Sequence, residues 1–178
     1  MSAARIIRQV DCPEVAWKNG GGRTRELAVF PAGAGVNDFM WRLSMARVEQ
    51  AGAFSRFEGV DRVLAVLDGT LRLSGAALDV RLDADSAPVA FDGASPITGE
   101  PLDGEVLDLN AMARRGHWHV EMHRLAAGTE VGCGNATFLL ALDSQRVGGA
   151  IVDRLGCVQV TAPLTLTGPA LLVRFSPD

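Results

Sequence analysis

The sequence predicts an all-β protein, a sandwich, jelly roll or barrel made of many short strands. Three observations predict it. Twenty Gly and eight Pro punctuate the 178 residues at short intervals. Between them, apolar residues alternate with polar or small ones at a period of two, the mark of a half-buried strand. No stretch carries a sustained 3.6-residue apolar period with caps at both ends, so helices are not expected.

Taken in order, Phe39, Trp41, Leu43 and Met45 alternate with Met40, Arg42, Ser44 and Ala46. Val63 to Leu67 leads through Asp68–Gly69 into Leu71, Arg72 and Leu73, and an Asp-Gly pair between two such runs predicts a hairpin. Leu78, Val80 and Leu82 alternate again, followed by Trp118, Val120 and Met122, then Leu164 and Leu166, then Leu171 to Phe175. Arg62-Val-Leu-Ala-Val-Leu-Asp-Gly69 resembles Thr137-Phe-Leu-Leu-Ala-Leu-Asp-Ser144, an internal repeat that favours two fused β-modules over one large sandwich. Pro96 to Asp103 is the most linker-like stretch between them.

Composition narrows the function. Apolar residues make up 48% and charged residues 21%, with 17 Lys and Arg against 21 Asp and Glu and a net charge of −4. A mildly acidic chain lacks the basic face of a general nucleic-acid binder, so no nucleic-acid partner is expected. The longest apolar runs, Val63–Leu67 and Phe138–Leu142, fall far short of the ~20 residues of a membrane span. Met1 to Asp11 has no apolar h-region and no small-residue cleavage site. Cys12, Cys133 and Cys157 are odd in number and widely spaced, which fits reduced thiols in a cytoplasmic protein. The expected setting is the cytoplasm, with no membrane partner.

His117, His119 and His123, with Glu121 between the last two, are a tempting metal set. On a strand they share one face, but positions 117 and 123 are then ~20 Å apart and cannot share an ion. Trp118, Val120 and Met122 make the opposite face core-like, which turns the histidines outward. As a helix, the order His-Val-Glu-Met-His misplaces the Glu for a zinc-peptidase motif. No metal and no cofactor are expected.

Polar residues cluster elsewhere. Trp17-Lys-Asn-Gly-Gly-Gly-Arg-Thr-Arg-Glu26 is either a hairpin loop or a place where backbone approaches a ligand or strand closely. If Trp41, Leu43 and Met45 face an apolar layer, Arg42 and Ser44 face the other side. There Arg42 offers a forked donor for a carboxylate, unless it is solvated or paired with Asp61 or Glu26. Asp108 and Asn110 lie two apart and share a face of an extended strand, as pocket groups or as turn formers.

In order, these pieces resemble the HutD/Ves family, small cytoplasmic bacterial proteins with a double-cupin fold. The matching residues are Trp17-Lys-Asn-Gly-Gly-Gly22 with Thr24 and Glu26, Trp41-Arg-Leu-Ser44, Phe54-Ser55 and Gly59-Val-Asp-Arg62. They continue with Leu67-Asp-Gly69, Phe91-Asp-Gly93 and Asp108-Leu-Asn110 with Met112, all within residues 5–125. The resemblance implies two double-stranded β-helix (cupin) barrels in one bicupin chain, approximately 1–100 and 101–178, with strands exchanged between the halves and a pocket in the N-terminal barrel. The family name links it to histidine utilisation, where binding or sensing of a pathway intermediate has been proposed.

Cupins that bind metal carry His-x-His and a Glu on the strand before the Gly-terminated hairpin. Here the corresponding positions hold Ser55 and Phe57, and no His precedes residue 117. The expectation is therefore a metal-free bicupin that binds a small anionic metabolite in a sensing or regulatory role. Its candidate pocket residues are Trp17, Asn19, Thr24, Arg42, Ser44, Phe54, Ser55, Arg62, Asp108 and Asn110. Two alternatives stand beside it. One is a metal-independent isomerase or hydrolase for a small carboxylic acid, with Asp61, Asp108 or Glu26 as base beside Arg62. The other is a homodimeric interaction module.

Overall fold

Strands form between the glycine and proline breaks, and among the described residues only the 3-10 turn Gln9–Asp11 is helical. The computed structural model describes residues 3–75, 77–134 and 136–178. In chain order the strands begin with β1 (Ala4–Ile7), β2 (Glu14–Ala16), β3 (Gly22–Phe30), β4 (Trp41–Val48), β5 (Gly52–Ala53) and β6 (Val60–Asp68). Next come β7 (Leu71–Gly75), β8 (Leu78–Leu82), β9 (Val89–Asp92), β10 (Thr98–Pro101), β11 (Val106–Arg114), β12 (Trp118–Leu125) and β13 (Glu130–Val131). The series closes with β14 (Ala136–Ala141), β15 (Gln145–Val147), β16 (Ala150–Val152), β17 (Cys157–Val160), β18 (Leu164–Thr165) and β19 (Ala170–Pro177).

Two large antiparallel sheets meet face to face. One has six strands in the order β2-β3-β4-β11-β6-β9; the other has five, β1-β17-β14-β19-β12. Period-two alternation sends Trp41, Leu43 and Met45 of β4, Val63 and Ala65 of β6, and Leu109 and Ala111 of β11 into the layer between them. They meet Val120, Met122, Phe138, Leu140, Val173 and Phe175 of the five-stranded sheet. Trp41 stacks on Phe175 with ring centroids 4.6 Å apart. Each such large side chain contributes about 1.5–3 kcal/mol on full burial, so this layer holds the two halves together.

The far face of each large sheet builds its own core. Leu64, Val66 and Val106 pack against Leu71, Leu73 and Leu82 of a four-stranded sheet, β5-β10-β7-β8. Leu139, Val158 and Leu172 pack with Val131, Val147, Val152 and Leu166 from the two small pairs, β13-β18 and β15-β16, and their flanks. We call these the first and second modules. The internal repeat is structural: β6 and β14 hold the same place, with Val63 and Phe138 facing the shared layer and Leu64 and Leu139 facing the two module cores.

Three expectations from the sequence change. Asp68–Gly69 turns the chain, with Gly69 at φ +81°, but no hairpin forms. Both flanks of β6 are taken by β11 and β9, so the chain crosses into the four-stranded sheet instead. Pro96–Asp103 is no linker, because residues 98–101 are β10, paired with both β5 and β7. Its one glycine has a packing cause: a Cβ on Gly99 would run into the Phe54 ring. A boundary near residue 100 also cuts the first module, whose central strand β11 runs to Arg114. β1 lies in the five-stranded sheet, against β17.

Candidate functional site

Because β4, β11 and β6 are covered on both faces, their second face carries polar groups out of solvent. Paired residues on neighbouring strands share a face. The register therefore sets Thr24, Ala46, Asp108 and Val66 in one row and Glu26, Ser44, Asn110 and Leu64 in the next. A third row holds Arg42, Met112, Arg62 and Phe91. Arg42 and Ser44 lie on the face opposite Trp41 and Leu43, as strand alternation requires.

Arg62 is the centre of this face. It is 5% exposed, and its guanidinium lies 5.0, 5.5 and 5.7 Å from the ring centroids of Phe91, Phe54 and Phe57. Nη1 donates to the Ser55 carbonyl at 3.1 Å, while Nε has no partner. Among the described residues, no carboxylate lies within 4.0 Å of it. Asp108 and Asn110 are 1% and 6% exposed, and Oδ1 of each is unpartnered. Arg42, by contrast, is satisfied by Glu26, Nε to Oε2 at 2.8 Å.

Burial sets the charge state. It raises the Asp108 carboxyl from 3.8 to about 7, against the smaller opposing pull of Arg62. It lowers Arg62 to about 10, with Asp108 opposing and Arg42 adding to the shift, so Arg62 remains a cation at neutral pH. The result is a dry, aromatic-walled cation beside a carboxyl that changes charge near neutrality. Leaving buried polar atoms unpaired costs roughly 1–3 kcal/mol each, and three of the five such side-chain atoms among the described residues, on Arg62, Asp108 and Asn110, lie on this face.

The remaining sequence candidates divide. Trp17 donates from Nε1 to Thr24 Oγ1 at 2.8 Å and meets Phe54 edge-on at 6.1 Å, forming a wall at one side of the face. Ser44 is buried beside Asn110 in register. Asn19 is exposed and acts locally, its Oδ1 accepting the Gly21 N–H at 2.9 Å. The triple glycine is a packed turn. A Cβ on Gly22 would lie 2.2 Å from the Arg47 carbonyl and 3.2 Å from the Trp17 ring. Ser55 is exposed and reaches the site only through its backbone carbonyl. Phe57 and Phe91 join the site although the candidate set omits them, and Glu26 enters it as the partner of Arg42. Phe91 was recoverable from the Phe91-Asp-Gly93 motif, and Phe57 from its place in the stretch before Arg62.

In the second module the equivalent positions carry smaller or apolar side chains, although the Thr137 hydroxyl is also buried without a partner. Register places Thr137 where the first module has Arg62, Leu172 where it has Asn110 and Ala170 where it has Asp108. His117, His119 and His123 are exposed, and His123 lies 3.5 Å from Glu121, which also takes Arg174 at 3.1 Å. Among the described residues, no three His, Cys, Asp or Glu side chains are grouped to hold a metal. With Arg42 neutralised by Glu26, Arg62 is the one guanidinium on the first module's inner face without an ion pair among the described residues, and it is the group there suited to an anion.

The architecture and this buried polar face define an all-β protein of the cupin type. The HutD family model matches residues 9–160, and the chain belongs to that family. It is 31% identical over 185 residues to an uncharacterised 21.2 kDa protein in the hutC 3' region of Pseudomonas putida, covering 98% of this chain and 96% of the relative. Protein Ves of Citrobacter koseri is 37% identical over 105 residues, a match spanning 58% of this chain and about half of Ves, 54%. Among solved structures, HutD from Pseudomonas fluorescens SBW25 in a formate condition aligns with a TM-score of 0.87 at 27% identity, covering 99% of this chain and all of that one. A conserved protein of unknown function from Pseudomonas aeruginosa PAO1 aligns at 0.81 with 30% identity and the same coverage. No helix of the described residues is long and apolar enough to cross a membrane.

Proposed function

We propose that the first module binds a small carboxylate-bearing metabolite, in a sensing or regulatory role in the cytoplasm. One observation carries this reading: Arg62 is a buried cation with an unused Nε and no ion pair, on the same face as two unpaired buried oxygens. A ligand carboxylate supplies what Arg62 lacks. An N–H on the same ligand supplies what Asp108 Oδ1 and Asn110 Oδ1 lack, which favours an amide- or imidazole-bearing acid over a bare anion. Phe54 and Trp17 wall the apolar part, and Ser44 and Thr24 add hydroxyls nearby. The family's link to histidine utilisation points the search at intermediates of histidine breakdown.

Calorimetric titration with urocanate, N-formylglutamate, glutamate and formate tests it. One of the first two is expected to bind most tightly, and Arg62→Met is expected to weaken that ligand about 10- to 150-fold, the worth of a charge-assisted hydrogen bond. No heat from any of the four with folded protein overturns the choice of ligand.

One observation favours a second reading, a metal-independent enzyme acting on a small acid. Of the three carboxylates that stand as candidate bases, Asp61 is exposed to solvent on an ion pair with Arg115 and Glu26 is held by Arg42. Asp108 alone is unpaired, and with its pKa at about 7 it suits general acid–base work. Chemical change of a bound ligand, lost in Asp108→Asn with binding retained, would select this reading.

A further inference from the structure

A second unsatisfied set of groups lies on the other side of β4. Where β1 and β17 face β3, an open surface groove of about 440 Å³ runs along the edge of the layer between the two large sheets, and its floor residues Leu27, Trp41 and Phe138 are each less than a tenth exposed. That size is within the range of small-ligand sites, which favour the junction between structural units. Its lining is graded along one row of the five-stranded sheet: Arg5, Gln159 and Phe138 are register neighbours on β1, β17 and β14. Opposite them stand Leu27 and Trp41 of the six-stranded sheet.

The polar groups of this row are idle. Among the described residues, Arg5 forms no ion pair, and the Gln159 side chain makes no hydrogen bond. Trp41 is 7% exposed, and its indole N–H is buried without an acceptor. The other charges on the cleft, Arg8 and Asp11, lie 3.5 Å apart as a pair, so Arg5 leaves the rim net positive. The Cys12 thiol is engaged with the Arg8 carbonyl at 3.4 Å. An edge cation, a central amide and an aromatic floor match one ligand chemistry: an anionic head and an apolar, preferably flat body.

We infer that this cleft is a second binding site, for a small carboxylic acid with a flat apolar body, its carboxylate on Arg5 and its body against Phe138, Leu27 and Trp41. The site is separate from the anion face of the first module. Trp41 and Arg42 are consecutive on β4 and point to opposite sides of the sheet, so each site has its own groups.

The test uses 3-phenylpropanoate as probe, 3-phenylpropanol as its uncharged control and acetate as its bodiless control. Binding is followed by the indole N–H signals of ¹⁵N-labelled protein. Trp17, Trp41 and Trp118 give three signals, assigned with Trp17→Phe and Trp118→Phe. The propanoate is expected to bind at one per chain and to move the Trp41 signal at saturation. The alcohol and acetate should bind at least about tenfold more weakly, and Arg5→Ala should cost the propanoate a similar factor. Ala28→Phe, which fills the cleft from β3, should abolish binding. Since Arg5 is exposed on an edge strand, its variant also serves if Ala28→Phe fails to fold. No binding, a Trp41 signal that stays in place at saturation, or equal affinity in wild type and Arg5→Ala would each overturn the inference.

Discussion

Replacing Asp108 by Asn keeps the shape of the side chain and removes its titration, which isolates the energetic consequence of burying a carboxyl on this face. In the folded chain its pKa is raised from 3.8 to about 7, burial being the main cause. The folded state therefore holds the proton more tightly than the unfolded state. Its stabilising contribution is complete below pH 3.8 and is lost as pH rises through 7. At 1.36 kcal/mol per pH unit, the gap corresponds to about 4 kcal/mol lost by pH 8, of which about 2.5 kcal/mol disappears between pH 5 and pH 8. Water entry and relaxation around the ionised group reduce this, so about 4 kcal/mol is a ceiling. Asp108→Asn does not carry this loss. Urea unfolding of both proteins at pH 5 and pH 8 reads the effect as the change in their stability difference, in which all other titrating groups cancel. The variant should gain about 1–2.5 kcal/mol on the wild type over that interval. Parallel pH dependences, or a variant that loses ground as pH rises, would refute the assignment of Asp108 as a buried, unpaired carboxyl.

Arg62→Met should leave the melting temperature unchanged or raise it while ligand affinity falls, since a buried charge without an ion pair costs stability that an apolar side chain does not. A marked drop in melting temperature would mean that the guanidinium supports the fold. Gly22→Ala forces a Cβ toward the Arg47 carbonyl and should destabilise by about 2–3 kcal/mol, checked by thermal unfolding. A wild-type melting point would show that β3 and β4 yield easily at that point. With a thiol reagent at pH 8, exposed Cys133 should react fastest and half-buried Cys12 more slowly. Cys157, whose thiol burial raises to about 12, should stay silent until the protein unfolds. Fast reaction of all three would contradict the packing of β17.

The side to which each strand residue points could be read from the sequence, and the identity of neighbouring strands could not. Alternation alone separates Arg42 and Ser44 from Trp41 and Leu43, and joins Asp108 to Asn110, because the side-chain period of a strand is local. That β11 lies between β4 and β6, bringing those pairs together, depends on contacts dozens of residues apart that no local pattern encodes. The same limit explains Asp68–Gly69. The turn is local and was legible, whereas the sheet it leads into was not. Leu27 shows a third kind of loss: the bulge between Glu26 and Ala28 lets both Leu27 and Ala28 join the shared layer, against simple alternation. Asn19 and Ser55 had the right chemistry in the right motifs, but their side chains are spent on a turn and on solvent.

The pairing of β1 with β17 has a consequence for how the chain is made. Ala4 opposes Val160 and Ile7 opposes Cys157, so an early strand waits for partners translated some 150 residues later. At about 5–20 residues per second, that wait lasts roughly 8–30 s on the ribosome. During most of it, the face of the six-stranded sheet bearing Trp41, Leu43, Val63 and Ala65 lacks the cover that residues 118–175 provide. A nascent chain halted near residue 117 thus presents a broad, sticky sheet together with a loose apolar arm.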